Sequence, residues 1–413
     1  MTNFDVIESY ADDFTKWRIE STGVTSTQKK IVIAAGTELK YNVAYKGFGN
    51  SIAEFDIKYT GNAVIRYRYN KEDGTAGIIT INRSGIYHLP ASIKTQKNFG
   101  FYCNPQTVTE EATIEQLPTS ILKDFSGNGN HAYLYGGKGN LNSGMGLYKV
   151  DFTSWRKSSV QTEVKPDVVK VTPNTSNYLF IQYASSAEIP SYKIKVIGLG
   201  DNVLKYQYAT ENGRKEINIV EGENELPTSI KVSNDYQIGY RLTPGTSVFT
   251  ITQIPDYPDQ LCYDGKMYAV AYDMPILTDY TIITDRTWFK DKINSWSYFV
   301  DKKKAFVFER TGNGKSFNVM SFTAETAIEL QKDGVSYQTK ASYNGNAINY
   351  HSDQADNDDR LVIGSTKDSL GNQCFIGCHS DILIFNRTLT EYEISWVKNN
   401  MMCSKQQEHD IDL

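Results

Sequence analysis

The chain has 413 residues, of which 40% are hydrophobic and 12% aromatic, and its formal net charge is −5. The length allows about two to four domains, and the 28 tyrosines favour β structure. The mild charge and the lack of a basic run argue against nucleic-acid binding. No stretch approaches the roughly 18 apolar residues of a membrane-spanning helix, which argues against membrane insertion.

The cysteines and the first residues indicate where the chain folds. The five cysteines are odd in number and scattered, at Cys103, Cys262, Cys374, Cys378 and Cys403. This argues against a disulfide framework, and we interpret them as buried small hydrophobic residues rather than zinc ligands. The first residues lack both the basic and the apolar region of a secretory signal. We therefore expect folding in a reducing cytosol.

One segment of the chain occurs twice, 137 positions apart. Residues 89–94 read LPASIK and residues 226–231 read LPTSIK, while residues 112–118 read ATIEQLP and residues 249–255 read FTITQIP. Solenoid repeats are shorter, at roughly 20–50 residues. The repeat therefore predicts two copies of one domain.

Each copy has the pattern of a small antiparallel β-sandwich. Apolar residues alternate with mostly polar ones along a strand in each copy, at Phe55, Ile57 and Tyr59 and at Tyr192, Ile194 and Val196. Asp73-Gly74 and Asn212-Gly213 then follow at matching places and predict type I′ hairpin turns. Glu54 and Asp56 are interpreted as part of a solvated strand face, because the third carboxylate of a glycosidase strand is missing.

Paired tyrosines, Tyr67 with Tyr69 and Tyr206 with Tyr208, mark the next strand of each copy. One interpretation is a platform on which sugar rings stack, which makes these four residues candidate carbohydrate-binding residues. The alternative is that they pack in the core or against neighbouring strands.

Oxygen-bearing side chains occupy every second position between the two copies, at Asp124, Ser126, Asn128 and Asn130. This spacing can wrap a calcium ion, and the four residues are the candidate calcium ligands. The alternative is that the Gly-Asn pairs form turns and no cofactor is bound.

Two segments resemble the ends of a known fold. Residues 122–132 read LKDFSGNGNHA, and residues 377–394 contain a strand followed by LTEYEI. Together they resemble the opening and closing elements of the concanavalin A-like, laminin-G-like jelly roll, and residues 263–268 (YDGKMY) resemble an internal strand of that family. Independently, Thr390 and Glu393 predict a capping box that opens a helix.

The order of segments also resembles surface or fibre proteins of crAss-like bacteriophages and related Bacteroidales prophages. The matching segments are DFTSW at residues 151–155, the strand at 189–198 and PILTDYT at 275–281. The resemblance implies a virion protein that is assembled in the host cytoplasm. It also implies partners among other virion proteins and a homo-oligomer.

We therefore expect an all-β protein with a jelly roll and two duplicated sandwiches, one of them inserted in the jelly roll. The expected divisions are an N-terminal attachment arm (1–30), copy one (31–118), the jelly roll (119–172 and 256–402), copy two (173–255) and a polar tail (403–413). The leading hypothesis is a non-enzymatic virion protein with a lectin-like domain that binds host surface glycans. Two alternatives stay open: a carbohydrate-active enzyme or binding module of a gut bacterium, and a purely architectural virion protein.

Overall fold

The structure is a computed structural model of the chain. The structure describes residues 8–137, 141, 143–157, 162–173, 179–182, 188–231, 238–272, 274, 280–289, 299–301, 306–308, 314–322, 329–332, 335–338, 341–342, 348–350, 360–365 and 375–401. All paired strands among these residues are antiparallel. The expected tail (403–413) lies outside the described residues.

The first sandwich packs a five-stranded sheet against a four-stranded sheet. In spatial order the first sheet is β1 (Val24–Ser26), β2 (Lys30–Ile33), β11 (Ala112–Gln116), β5 (Phe55–Thr60) and β8 (Gly85–Leu89). The second is β4 (Asn42–Lys46), β9 (Phe99–Tyr102), β6 (Ile65–Asn70) and β7 (Ala76–Ile81). A short pair, β3 (Glu38–Leu39) and β10 (Gln106–Thr107), lies beside them.

The second sandwich repeats this topology. Its first sheet is β16 (Thr162–Val164), β17 (Val168–Val171), β24 (Phe249–Ile254), β19 (Tyr192–Ile197) and β22 (Gly222–Leu226). Its second sheet is β15 (Arg156–Lys157), β18 (Leu179–Gln182), β23 (Gly239–Thr243), β20 (Val203–Thr210) and β21 (Gly213–Ile219). The order of the shared strands is the same in both sandwiches, so the duplication extends to the fold.

Both sandwiches begin earlier than the sequence divisions placed them. A single turn of 3-10 helix, Phe14–Lys16 in one and Phe152–Ser154 in the other, buries its phenylalanine in the sandwich core. Trp17 and Trp155 follow and are buried in the same cores. Phe14, Trp17 and Val24 of the predicted arm therefore pack in the core of copy one, and Phe152, Trp155, Val169 and Val171 belong to the core of copy two.

The third unit consists of two further sheets. One is β12 (Ile121–Leu122), β13 (Ala132–Tyr135), β26 (Tyr268–Ala271), β35 (Leu361–Ile363) and β28 (Phe299–Asp301). The other is β14 (Gly144–Leu147), β25 (Asp256–Asp264), β36 (Ile376–Phe385), β27 (Tyr280–Trp288), β30 (Gly314–Phe322) and β33 (Ala341–Ser342). Two two-stranded sheets occur in the same part of the chain: β29 (Phe306–Phe308) with β34 (Ile348–Tyr350), and β31 (Glu329–Lys332) with β32 (Val335–Gln338).

The second sandwich lies in sequence between two paired strands of the third unit. β14 precedes it, β25 follows it, and these two strands are hydrogen-bonded neighbours. An apolar core fills the third unit, with Leu134, Tyr263 and Ile282 among its buried members. The chain thus leaves this unit and returns to it at one place.

A helix, α1 (Glu391–Asn400), follows the last strand of the third unit. The Thr390 and Glu393 capping box is present, and Ile394 and Val397 are buried beside Ile283, which confirms the sequence prediction. Among the described residues, α1 is the one α-helix, and an all-β class is confirmed at this level. No helix in the described ranges is long and apolar enough to cross a membrane.

The two predicted hairpin turns differ from type I′. β6 and β7 are joined by residues 71–75, and β20 and β21 by residues 211–212. Gly74 and Gly213 have φ values of 77° and 102°, whereas Asp73 and Asn212 are not among the residues with positive φ. A type I′ turn needs positive φ at both central residues, so that prediction was wrong.

Candidate functional site

The hairpin between β12 and β13 carries an exposed loop, residues 123–131, which we call the Phe125 loop. The Asp124 carboxylate accepts hydrogen bonds from the backbone N–H of Ser126 at 2.8 Å and of Asn130 at 2.9 Å. The Asp124 N–H donates to Nδ1 of His131 at 2.9 Å. These bonds close the loop at both ends, and the hydrogen bonds from Ser126 and Asn130 lower the pKa of the Asp124 carboxyl.

The closed loop displays one aromatic side chain. Phe125 is 88% exposed, and the Lys123 ammonium lies 5.9 Å from the centre of its ring. Ser126 Oγ accepts from the Asn128 side-chain amide at 2.9 Å, which orders the polar rim. An exposed ring beside amides and an ammonium can stack on an apolar face and hydrogen-bond around it.

Calcium binding was predicted at Asp124, Ser126, Asn128 and Asn130, and the structure places all four in this loop. Asp124 supplies the loop's one carboxylate, whose oxygens already accept two backbone N–H groups. Calcium takes six to eight oxygen ligands. Within the described ranges no group of three or more His, Cys, Asp or Glu residues could hold a metal. Calcium binding at this loop stays a prediction.

The candidate sugar platform of the first sandwich is largely internal. Tyr67 is fully buried between the sheets, and its ring packs on Phe55 and Phe101. Tyr69 is half-buried, stacks on Tyr67 at 6.0 Å, and covers Gly77 so closely that no Cβ would fit there. Tyr67 cannot meet a ligand from solvent, so its predicted carbohydrate contact was wrong and the packing alternative holds.

The second sandwich repeats this arrangement. Tyr206 is fully buried and packs on Tyr192 and Tyr240, while the half-buried Tyr208 stacks on Tyr206 at 6.1 Å. Burial raises the pKa of both inner tyrosines, Tyr67 and Tyr206, well above the usual range. A buried ring is shielded from sugars, so the prediction for Tyr206 was wrong for the same reason.

The strand face at Asp56 contacts the third unit instead of solvent alone. Asp56 accepts hydrogen bonds from the Tyr133 hydroxyl and from His88 Nδ1, both at 2.9 Å. The Lys58 ammonium lies 4.8 Å from the ring centre of Tyr272. The first sandwich and the third unit therefore meet through polar residues of β5 and tyrosines of the other sheet.

A buried ionisable pair lies in the core of the third unit. Arg286 and His379 are buried on neighbouring strands β27 and β36, and the His379 ring packs on Phe375 at 4.8 Å. Burial, followed by the nearby Arg286 charge, holds the pKa of His379 well below its usual range. A neutral imidazole enclosed in this way packs as an aromatic residue.

The comparisons with known proteins leave the family open. No protein-family model matches the chain, and no curated protein matches its sequence. An oxalate decarboxylase from Bacillus subtilis, solved at pH 4.6, is similar at 8% identity and a TM-score of 0.13, over 63% of this chain and 80% of the other. A Lactobacillus farciminis oxalate decarboxylase in a formate complex is similar at 10% identity and a TM-score of 0.12, over 61% and 84%. Likenesses this weak support no functional argument.

Proposed function

We propose that the chain is a non-enzymatic bacteriophage structural protein, exposed on the virion as a fibre or decoration, whose third unit is a lectin-like jelly roll. Two antiparallel sheets around one core, with a capped helix after the closing strand, support the jelly-roll assignment. The resemblance of segments at 122–132, 151–155 and 377–394 supports the virion assignment.

The Phe125 loop is the part of this unit that we propose contacts host surface glycans. Phe125 is a large apolar side chain held in solvent by a loop that Asp124 closes from within. Because the loop is ordered before binding, little conformational entropy would be lost when a sugar stacks on the ring. This exposed aromatic residue is the observation that carries the proposal, and it replaces the buried tyrosines as the sugar-stacking group.

Single sites of this kind are weak, so the proposed adhesion depends on many copies. One aromatic stack contributes about 0.5–1.5 kcal/mol, which corresponds to roughly a two- to thirteenfold change in affinity. A homo-oligomer on a virion would present many loops at once and raise avidity without new contacts in each chain.

A glycan array tests the proposed contact. The full chain and the variants Phe125→Ala and Phe48→Ala are compared on one array, with and without added calcium. Phe48 is the control because it is 67% exposed and lies in the first sandwich, between β4 and β5, outside the Phe125 loop. We expect Phe125→Ala to lose binding and Phe48→Ala to retain it. Equal binding by both variants would contradict the assignment of the loop, and a gain of binding with calcium would support the metal prediction.

The position on the particle needs its own measurement. Negative-stain imaging of purified phage with a labelled antibody should place the chain on the virion surface. Label confined to the infected-cell cytosol would overturn the virion proposal. Surface label together with no glycan bound above background would favour the purely architectural alternative.

A further inference from the structure

Two buried cysteines face each other across adjacent strands of the third unit. Cys262 on β25 is paired directly with Cys378 on β36 in an antiparallel ladder. Directly opposed residues of such ladders have Cα atoms about 4.5–5.5 Å apart. A disulfide spans Cα separations of about 4.4–6.8 Å, so this register is compatible with one.

The surroundings hold the two thiols together. Cys262, Cys378 and Phe289 form one buried apolar cluster on the same face of the sheet. The Cys378 thiol donates to Oε1 of Gln260 at 2.9 Å, and it also interacts with the Cys262 thiol. Both sulfur atoms therefore lie on one side of the ladder, as a bridge between them requires.

The strand that carries Cys262, β25, is irregular in its first half. The pairing of β14 with β25 shifts between Met145 and Leu147, and Tyr257 and Asp259 of β25 have positive φ values of 57° and 59°. Such backbone conformations are disfavoured for residues other than glycine and are held in place by their surroundings. This is also where the chain returns from the second sandwich, so a link here would anchor that return.

We infer that Cys262 and Cys378 are a modification site, at which an intramolecular disulfide forms when the folded protein meets a disulfide oxidant such as oxidised glutathione. The inference concerns the third unit alone and does not rest on the proposed function. Burial raises the pKa of the Cys262 thiol, so the reaction begins when local opening of the adjacent strands admits solvent and the oxidant. The thiolate of one cysteine then attacks the glutathione disulfide, forms a mixed disulfide and releases one reduced glutathione. The second thiolate then attacks the protein sulfur of that mixed disulfide and releases the other. Each cysteine sulfur is oxidised by one electron, glutathione disulfide is reduced by two, and the two thiol protons end on the released glutathiones.

The bridge would join the strand that re-enters the third unit to its last strand. The loop that it closes contains β26 to β35, and cross-links that close long loops restrict the unfolded chain most. Oxidation should therefore raise the melting temperature of this unit by roughly 5–15 °C. The buried Cys103 offers a comparison, because its thiol donates to the backbone carbonyl of Lys40 at 3.1 Å in the first sandwich.

The test incubates the full native chain with oxidised glutathione and analyses it without reduction by intact mass and peptide mapping. We expect the loss of two hydrogens and one cross-linked peptide pair that joins Cys262 to Cys378. Thermal unfolding should shift upward, and Cys103→Ala should behave in the same way, whereas Cys262→Ala and Cys378→Ala should abolish the shift. Mapping of the wild-type chain needs no variant to fold. Free thiols at full oxidant, glutathione adducts without a bridge, or a bridge to Cys374 or Cys403 would each overturn the inference.

Discussion

The two sandwiches share their cores and differ at one end. Ser92 and Ser229 are both buried and accept a backbone N–H, from Asn70 and Ala209 respectively, each at 3.0 Å. In each sandwich the repeated LPxSIK segment is therefore held in place by a hydrogen bond as well as by its apolar residues. This buried polar contact is thus repeated in the second copy along with the apolar residues around it.

The two sandwiches differ in the polarity of their exposed residues at one end, around the turn that follows β5 in the first copy and β19 in the second. We call this end the tip. In the second sandwich Ile197, Val220 and Val248 are exposed around the turn after β19. At the matching offset of 137 the first sandwich has Thr60, Arg83 and Glu111. One copy therefore presents an apolar tip and the other a polar one. The comparison shows that the shared fold tolerates either surface while the interior stays fixed.

The largest expected effect comes from removing the tryptophan that opens each sandwich. Trp17 stacks on Phe101 at 5.5 Å, and Trp155 stacks on Tyr240 at 5.6 Å. Trp17→Ala and Trp155→Ala should each lower the free energy of unfolding of their own sandwich by about 3–5 kcal/mol. Hydrogen exchange of the full chain, followed by mass spectrometry of peptides from each sandwich, separates the two effects.

Trp396→Ala is the matched control, because this tryptophan is half exposed on α1. It should change exchange in neither sandwich. If Trp17→Ala left exchange in residues 24–116 unchanged, the N-terminal segment would be an appended arm after all, and the equivalence of the two copies would fail.

An intermediate effect is expected from the repeated serine. Ser92→Ala and Ser229→Ala each leave a buried backbone N–H without its acceptor, which should cost about 1–3 kcal/mol. Ser51→Ala, at an exposed position, should stay within about 0.5 kcal/mol of the parent. Urea unfolding with the same peptide-resolved exchange measures all three. A loss of stability in Ser92→Ala without one in Ser229→Ala would contradict the equivalence of the two copies, because the two hydrogen bonds would then contribute different free energies.

The sequence predicted much of the interior and little of the long-range geometry. The alternating residues of β5 and β19 were predicted with the correct buried face, and so was the cap of α1. These features depend on neighbours a few positions away. The DFTKW segment at 13–17 matches the DFTSW segment at 151–155 in four of five residues. This match indicates that both segments open the same kind of sandwich, whereas residues 151–155 were predicted to lie in the jelly roll.

The remaining features depend on distant partners. The opening segments are held by Gln116 and Gln253, whose side chains bond the backbone of Asp12 and Val150. The alternation of residues along β6 predicts that Tyr67 and Tyr69 share one face of the strand, but it does not indicate which sheet covers that face. The candidate site was predicted in part: the loop at Asp124 was singled out as a candidate calcium site, which stays a prediction, while the exposure of Phe125 follows from how that loop closes.

The smallest expected effect concerns the acid response of one turn, which carries a carboxylate in the second copy and an amide in the first. In the second sandwich Asp201 accepts backbone N–H groups of Thr246 and Ser247 at 2.9 and 3.1 Å, whereas at the matching turn of the first, Asn62 donates to Thr109 at 3.1 Å. The Thr246 N–H and the Ser247 hydroxyl are the main groups that lower the pKa of Asp201 from 3.8 to about 2. Because the folded pKa lies below the unfolded one, the contribution is complete above about pH 4 and is lost as the pH falls towards 2. Exchange at the Thr246 and Ser247 turn should therefore rise relative to the matching turn at Thr109 over this range, and Asp201→Asn should remove the difference. A carboxyl titration by NMR that places Asp201 near 3.8 would show that the two turns respond alike to acid, so that the divergence between the copies would be confined to their apolar surface.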